Sequence, residues 1–202
     1  MSDARAVRYK AVVEDLLMMG NPGPDDTLEL LAQDFEVMAD TRSTADRPGF
    51  SRGLADEMAR QIIAGEADYE RFKAAAPHHD ANLWERHDFE GRFTWDGLWP
   101  RLQDLAVGRQ GVHLFAVVGT YAVPACWTAL QVFERDGRVS VVLFQRSCDV
   151  WRGFPYDLAM LQAVWRHLAG DKPLGECHWF IGSLHLYERD EVAAREWCDA
   201  DA

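Results

Sequence analysis

Cys126 sits in the stretch Pro124-Ala-Cys126-Trp127, and a β-branched and aromatic run then leads to Gln145-Arg146-Ser147-Cys148-Asp149 and to Gly153-Phe-Pro155-Tyr-Asp157. These residues group a thiol, a guanidinium, a hydroxyl and two carboxyls on what read as short connections between apolar strands and one helix. The attacking form of cysteine is the thiolate, which a neighbouring guanidinium favours, and the same guanidinium binds an anionic substrate group through a planar fork of N–H donors. The chemistry suggested is nucleophilic attack by Cys126 on an anionic small molecule. Taken singly, a cysteine in an apolar run is more often a buried structural thiol, and Cys148, Cys177 and Cys198 are read that way. The suggestion rests on the whole group.

The elements that must position this group read as helices early and strands late, an α+β order. Residues 4–18 are expected to form a helix stopped by Gly20-Asn-Pro22-Gly-Pro24, and 27–35 a second helical run. Ser51 opens a third helix with Leu54, Met58 and Ile62 at four-residue steps, and 69–76 reads helical up to Pro77. The loop between the second and third helices carries Arg42, Arg47 and Arg52, while 82–97, rich in Trp and His, reads as irregular and site-lining. Strands are expected at 112–118, 128–133, 139–144 and 178–187, with Asp136-Gly137 as a hairpin turn. Pro155 suits the first turn of a helix that presents Leu158, Leu161, Trp165 and Leu168 and stops at Gly170.

The chain has 202 residues, 48% of them hydrophobic, which suits one domain over 1–202 with 1–26 as a peripheral helical segment. There is no apolar run of membrane-spanning length and no apolar signal core at the N-terminus, so a cytoplasmic protein without a membrane partner is expected. The four cysteines form no C-x-x-C pair, and neither a metal site nor a disulfide framework is expected. A formal charge of −12 argues against duplex nucleic acid as a partner, since such proteins carry basic surfaces that displace counterions from phosphates.

With those residues in view, the chain resembles the thymidylate synthase family, which includes the deoxycytidylate (dCMP) hydroxymethylases. The resemblance is carried by Pro-Ala-Cys126, by Leu130-Gln-Val-Phe with Asp136-Gly137-Arg138-Val-Ser140, and by Gln145-Arg146-Ser147-Cys148-Asp149. It continues in Gly153-Phe-Pro155-Tyr-Asp157, Gly175-Glu-Cys-His-Trp179 and Leu184-His185-Leu186-Tyr187, and is strongest over 115–187. It implies a two-layer α+β fold, a mixed β-sheet with helices on one face, and a homodimer packed through the sheet. It also implies one-carbon transfer from 5,10-methylenetetrahydrofolate, as cosubstrate, to C5 of a pyrimidine nucleoside monophosphate.

In that reading Cys126 adds to C6 of the ring and makes C5 an enamine nucleophile. Arg146 activates the thiol and binds the substrate phosphate with Ser147, and Gln145 orders the same region. His185 and Tyr187, alternate residues of one strand, meet the sugar hydroxyl. Asp149 and Trp84 contact the folate, and Glu57 organises water for proton transfers. Asp157 stands where the uracil-directed synthases have asparagine and the hydroxymethylases have aspartate, so a cytosine nucleotide is expected. The product is expected to be hydroxymethyl ahead of methyl. The alternatives are thymidylate synthesis on dUMP and, given the single Arg109 and the short run after Tyr187, a non-catalytic nucleotide-binding protein of the same fold.

Overall fold

The computed structural model describes residues 5–6, 8–38, 48–64, 68–75 and 126–200. Its centre is the pair of β-branched and aromatic runs β4 (Trp127–Arg135) and β5 (Arg138–Asp149), which form an antiparallel hairpin. Asp136 and Gly137 have φ of 52° and 72°, the two positive values that let a two-residue turn follow the strand twist. β5 then pairs in parallel with β6 (Leu174–Tyr187), and the crossover between them is the helix α4 (Phe154–Ala169). Parallel neighbours need such a crossover. Beyond β6 lies β3 (Thr27–Glu36), antiparallel to it, flanked by the short strands β1 (Arg5–Ala6) and β2 (Asn21–Gly23). Among the described residues the mixed sheet has six strands in the order β1-β3-β6-β5-β4, with β2 off the path on β3.

One face of this sheet is buried by helices, giving the expected two-layer α+β arrangement. α4 has Pro155 in its first turn and stops at Gly170, whose φ of 57° suits glycine. It packs Leu158, Leu161, Val164 and Trp165 into the core, and the Trp165 indole donates to the Val139 carbonyl at 2.7 Å. α2 (Arg52–Ala64) lies against α4, adding Leu54, Met58 and Ile62, and the backbone N–H of Ser51 donates to the Tyr156 hydroxyl at 3.1 Å. α3 (Tyr69–Ala75) follows it. α1 (Tyr9–Met19), expected at the periphery, buries Val13 and Leu16 in the same core.

The helix expected over 4–18 begins only at Tyr9, after β1, the stop that follows it contains β2, and two longer elements also differ from the sequence expectation. The run 27–35 is strand, not helix: Leu28, Leu31 and Phe35 fall at helical spacing, yet the chain pairs with β6 along its length. Its alternation is broken at Ala32, where φ is 54°, and that break conceals the period of two. The run Glu188–Asp199, for which no element was expected, is the helix α5. It is polar on average, but Glu188, Asp190 and Glu191 crowd its first turn, where carboxylates favour the helix N-terminus. Arg152 clamps Asp190 with two hydrogen bonds of 2.7 and 2.6 Å, and Ala194 is buried.

The break at Ala32 belongs to a kink shared by three strands. On β5 the buried positions are Val139, Val141, Leu143 and Gln145, then Cys148; on β6 they are Cys177, Trp179 and Ile181, then Leu184 and Leu186. Each strand therefore switches the parity of its inward residues at one level, through Ala32, Gly182 and Arg146. Because all three switch together, the register is the same on both sides: Gln145 and Ser147 pair with Ile181 and Ser183, which pair in turn with Gln33 and Leu31. The kink requires a close approach, since a Cβ at Gly182 would meet the Arg146 carbonyl oxygen at 2.8 Å. Gly182→Ala is expected to lower stability by about 1–3 kcal/mol in chemical denaturation. Unchanged stability would mean that the strands do not need this contact.

Candidate active site

The kink decides which side chains meet. Gln145 to Asp149 are the end of strand β5, rather than a connection after it. Past the switch, Cys148 points into the core, so Ser147 and Asp149 point the other way. On β6 Ser183, His185 and Tyr187 do the same. His185 lies between Asp149 on β5 and Glu29 on β3 as their register partner. The His185 and Tyr187 rings meet edge to face at 5.3 Å, and the Ser183 hydroxyl donates to the Glu29 carboxylate. Sequence reasoning missed Glu29 because its strand reads as a helix.

Cys126 stands immediately before β4, half-exposed, and its carbonyl accepts from the Arg146 backbone N–H at 2.8 Å. Arg146 Nη2 is 3.9 Å from the Cys126 sulfur, and Nη1 donates to the Ser147 hydroxyl at 3.1 Å. Positive charge is thus set against the Cys126 sulfur, with a hydroxyl on the same guanidinium. Arg146 itself is exposed.

Asp149 shapes the chain into α4: its Oδ1 accepts from the backbone N–H groups of Trp151 and Arg152 at 2.9 and 3.0 Å. Burial pushes its carboxyl up from the ordinary range, while those N–H groups and the nearby His185 pull the other way. The Tyr187 phenol is also pushed up, first by burial and then by the charge of Asp149, with Cys126 among the groups close enough to act on it. Cys126, Asp149, His185 and Tyr187 therefore share one electrostatic neighbourhood.

A second group lies on the inner face of the sheet. Asp157 is wholly buried in the first turn of α4, and Gln145 is 3% exposed. The Trp179 indole donates to Gln145 Oε1 at 2.9 Å, which identifies the other end of the amide as nitrogen. That nitrogen donates to the Ser147 carbonyl at 2.9 Å and to Asp157 Oδ2 at 2.8 Å. The Cys148 sulfur is 3.5 Å from the same Oδ2. Trp179 and Cys148 were given no site role from the sequence. Trp179 does sit in one of the motif fragments, but only the fold puts its indole on Gln145.

Glu57 forms a cluster of its own between α2 and α3. Arg60 approaches it at 2.9 and 2.8 Å, Gln61 at 2.9 Å and Arg71 at 3.3 Å. The Arg60 hydrogen bond, against partial burial and with help from Gln61 and Arg71, brings its carboxyl down to about 2. It is therefore an ionised acceptor at neutral pH. Trp84, Arg42, Arg47 and Arg109, with the stretches 82–97 and 112–118, lie outside the described residues.

Residues 109–199 match the family model for thymidylate synthase. The match takes in Cys126 and spans β4, β5, α4, β6 and α5, while Glu29, Glu57 and Trp84 lie before it. It indicates one-carbon transfer to C5 of a pyrimidine nucleotide with methylenetetrahydrofolate as cosubstrate. Among the described residues, no group of three His, Cys, Asp or Glu side chains is placed to hold a metal, and no helix is long and apolar enough to cross a membrane.

The Glu57 cluster makes a prediction about pH. A carboxyl lowered by folding stabilises the protein fully above its unfolded value, about 4.3, and less as pH falls through its folded value. Glu57→Gln is expected to cost about 1 kcal/mol or more at neutral pH. The gap to the parent protein should close between about pH 4 and the folded value of about 2. Thermal denaturation of both proteins across that range checks this, and a gap undiminished at the acid end would contradict the ion-pair assignment.

Proposed function

We propose that this protein transfers a one-carbon unit from methylenetetrahydrofolate to C5 of a cytosine nucleotide, dCMP foremost, with hydroxymethyl as the favoured product. The nucleophile is Cys126. Its thiolate adds to C6 of the base, and the resulting enamine attacks the one-carbon donor from C5. Arg146 holds negative charge at the sulfur and, with Ser147, the substrate phosphate. His185 and Tyr187 take the sugar hydroxyl, Asp149 and Trp84 the folate, and Glu57 an ordered water.

The observation that carries the cytosine reading is the oriented hydrogen-bond chain from Trp179 through Gln145 to Asp157. An asparagine amide matches uracil, accepting from N3–H and donating to O4. Cytosine presents an acceptor at N3 and a donor at N4, the reverse pattern. A carboxyl with one oxygen fixed as acceptor and a proton on the other matches cytosine. Rejecting the wrong base then follows from leaving buried polar groups unpaired, which is worth orders of magnitude where a site is built on such bonds.

The test incubates the protein with methylenetetrahydrofolate and, separately, dCMP, CMP and dUMP, and reads product masses and the folate released. A hydroxymethyl or methyl adduct on cytosine is expected, lost in Cys126→Ser and shifted towards dUMP in Asp157→Asn. Full activity in Cys126→Ser would remove the nucleophile assignment. Saturable nucleotide binding with no adduct on any base would favour a non-catalytic nucleotide-binding protein, and product from dUMP alone a thymidylate synthase.

We also infer a homodimer. On the sheet face away from the helices, Phe144 and Phe180 stack at 5.4 Å while 39% and 37% exposed, with Leu31 67% exposed on β3. A second copy packed sheet to sheet accounts for this apolar strip. Phe180→Glu is expected to reduce the sedimenting mass by half, and a parent protein already monomeric would end this inference.

A further inference from the structure

Ser147 and Ser183 are register partners on β5 and β6, neighbouring strands about 4.8 Å apart, and both turn away from the core. Each is tied to a group of opposite charge. The Arg146 guanidinium, which only donates, reaches the Ser147 oxygen through Nη1 at 3.1 Å and leaves Ser147 its own hydrogen to give. The Glu29 carboxylate, which only accepts, takes the Ser183 hydrogen and leaves the Ser183 oxygen its two lone pairs. Two like side chains therefore carry opposite hydrogen-bonding roles. The strand beside Glu29 lies close against it: a Cβ on Gly23 of β2 would meet the Glu29 Cβ at 3.0 Å, an approach that glycine permits. Glu29 is also the register partner of His185, which follows Ser183 by two residues on the same face of β6.

We infer that Ser183 is a further substrate residue and Glu29 its positioning residue: with its hydrogen committed to Glu29, the Ser183 oxygen accepts the hydrogen of a sugar hydroxyl. This rests on the nucleotide reading above. Phosphate oxygens are acceptors and suit the remaining hydrogen of Ser147. Beside the phosphate, the donors that a nucleoside monophosphate brings are the hydroxyls of its sugar, since the ring and ester oxygens only accept. His185 and Tyr187 can donate to such a hydroxyl, but its own hydrogen still needs an acceptor. Ser183 stands between Ser147 and His185 and supplies one.

Equilibrium binding of dCMP and dideoxy-CMP to the full chain tests this, with dUMP and dideoxy-UMP as a second pair. The members of each pair differ by one hydroxyl, so the ratio of their dissociation constants reads what that hydroxyl contributes, whichever base the protein prefers. Ser183→Ala removes the acceptor, and Glu29→Leu releases the serine hydrogen to turn towards the ligand. Each is expected to lower the ratio roughly two- to tenfold, the span of one ordinary hydrogen bond. Ser183→Thr and Glu29→Gln keep an acceptor in place and are expected to stay near the parent value. A loss of packing weakens both members of a pair alike and leaves the ratio unmoved. A parent protein that favours the hydroxyl form, with the same ratio in Ser183→Ala and Glu29→Leu, would overturn this role and leave the proposed transfer reaction standing. Equal affinity of the parent for both members would do the same. A parent protein that binds neither pair would overturn both.

Discussion

Gly182 lies against the Arg146 carbonyl oxygen in the middle of the sheet, and the site depends on that approach. A strand alternates its side chains between two faces, so a strand that buried Gln145 inward would also bury Ser147 and Asp149. The switch at Arg146 breaks that rule once and turns Ser147 and Asp149 outward while Cys148 takes the core position. Had only one strand switched, its pairing with its neighbours would slip. With β3, β5 and β6 switching at one level, the pairing is kept and a whole row of polar groups, from Glu29 through His185 to Asp149, comes onto one face.

The same switch separates two kinds of electrostatics. Cys126, Arg146, Ser147, Asp149, His185 and Tyr187 are partly or fully open to solvent. Gln145, Asp157, Trp179 and Cys148 form a closed chain in the core, where each polar group must find a partner because desolvation without one costs far more than a hydrogen bond returns. The donors and acceptors of this network are fixed by its own packing.

Charge follows a similar division outside the site. Glu57 is neutralised by Arg60 and Arg71, and Asp190 by Arg152, in clusters that fasten α2 to α3 and α5 to the loop before α4. In a chain of formal charge −12, placing arginines beside these carboxylates relieves local repulsion. The Arg146 guanidinium instead reaches a thiol and a hydroxyl.

Much of this was legible in the residues alone. The β4–β5 hairpin follows from β-branched runs around Asp136-Gly137, α4 from Pro155, its apolar stripe and Gly170, and α2 from Leu54, Met58 and Ile62, because each is set by contacts among near neighbours. The grouping of Cys126 with Arg146 and Ser147 was also legible, since hairpin pairing returns the chain to its start. Other features were not. The strand nature of Thr27–Glu36 and the kink at Ala32, Gly182 and Arg146 depend on pairing between segments distant in the chain, and a bulge erases the periodicity that would announce it. The contact of Cys148 with Asp157, and the indole that orients Gln145, arise only when α4 is laid on the sheet. Local pattern determines where elements lie and which residue types they carry. Packing decides which face each residue takes, because a single shared bulge inverts that face for every residue beyond it.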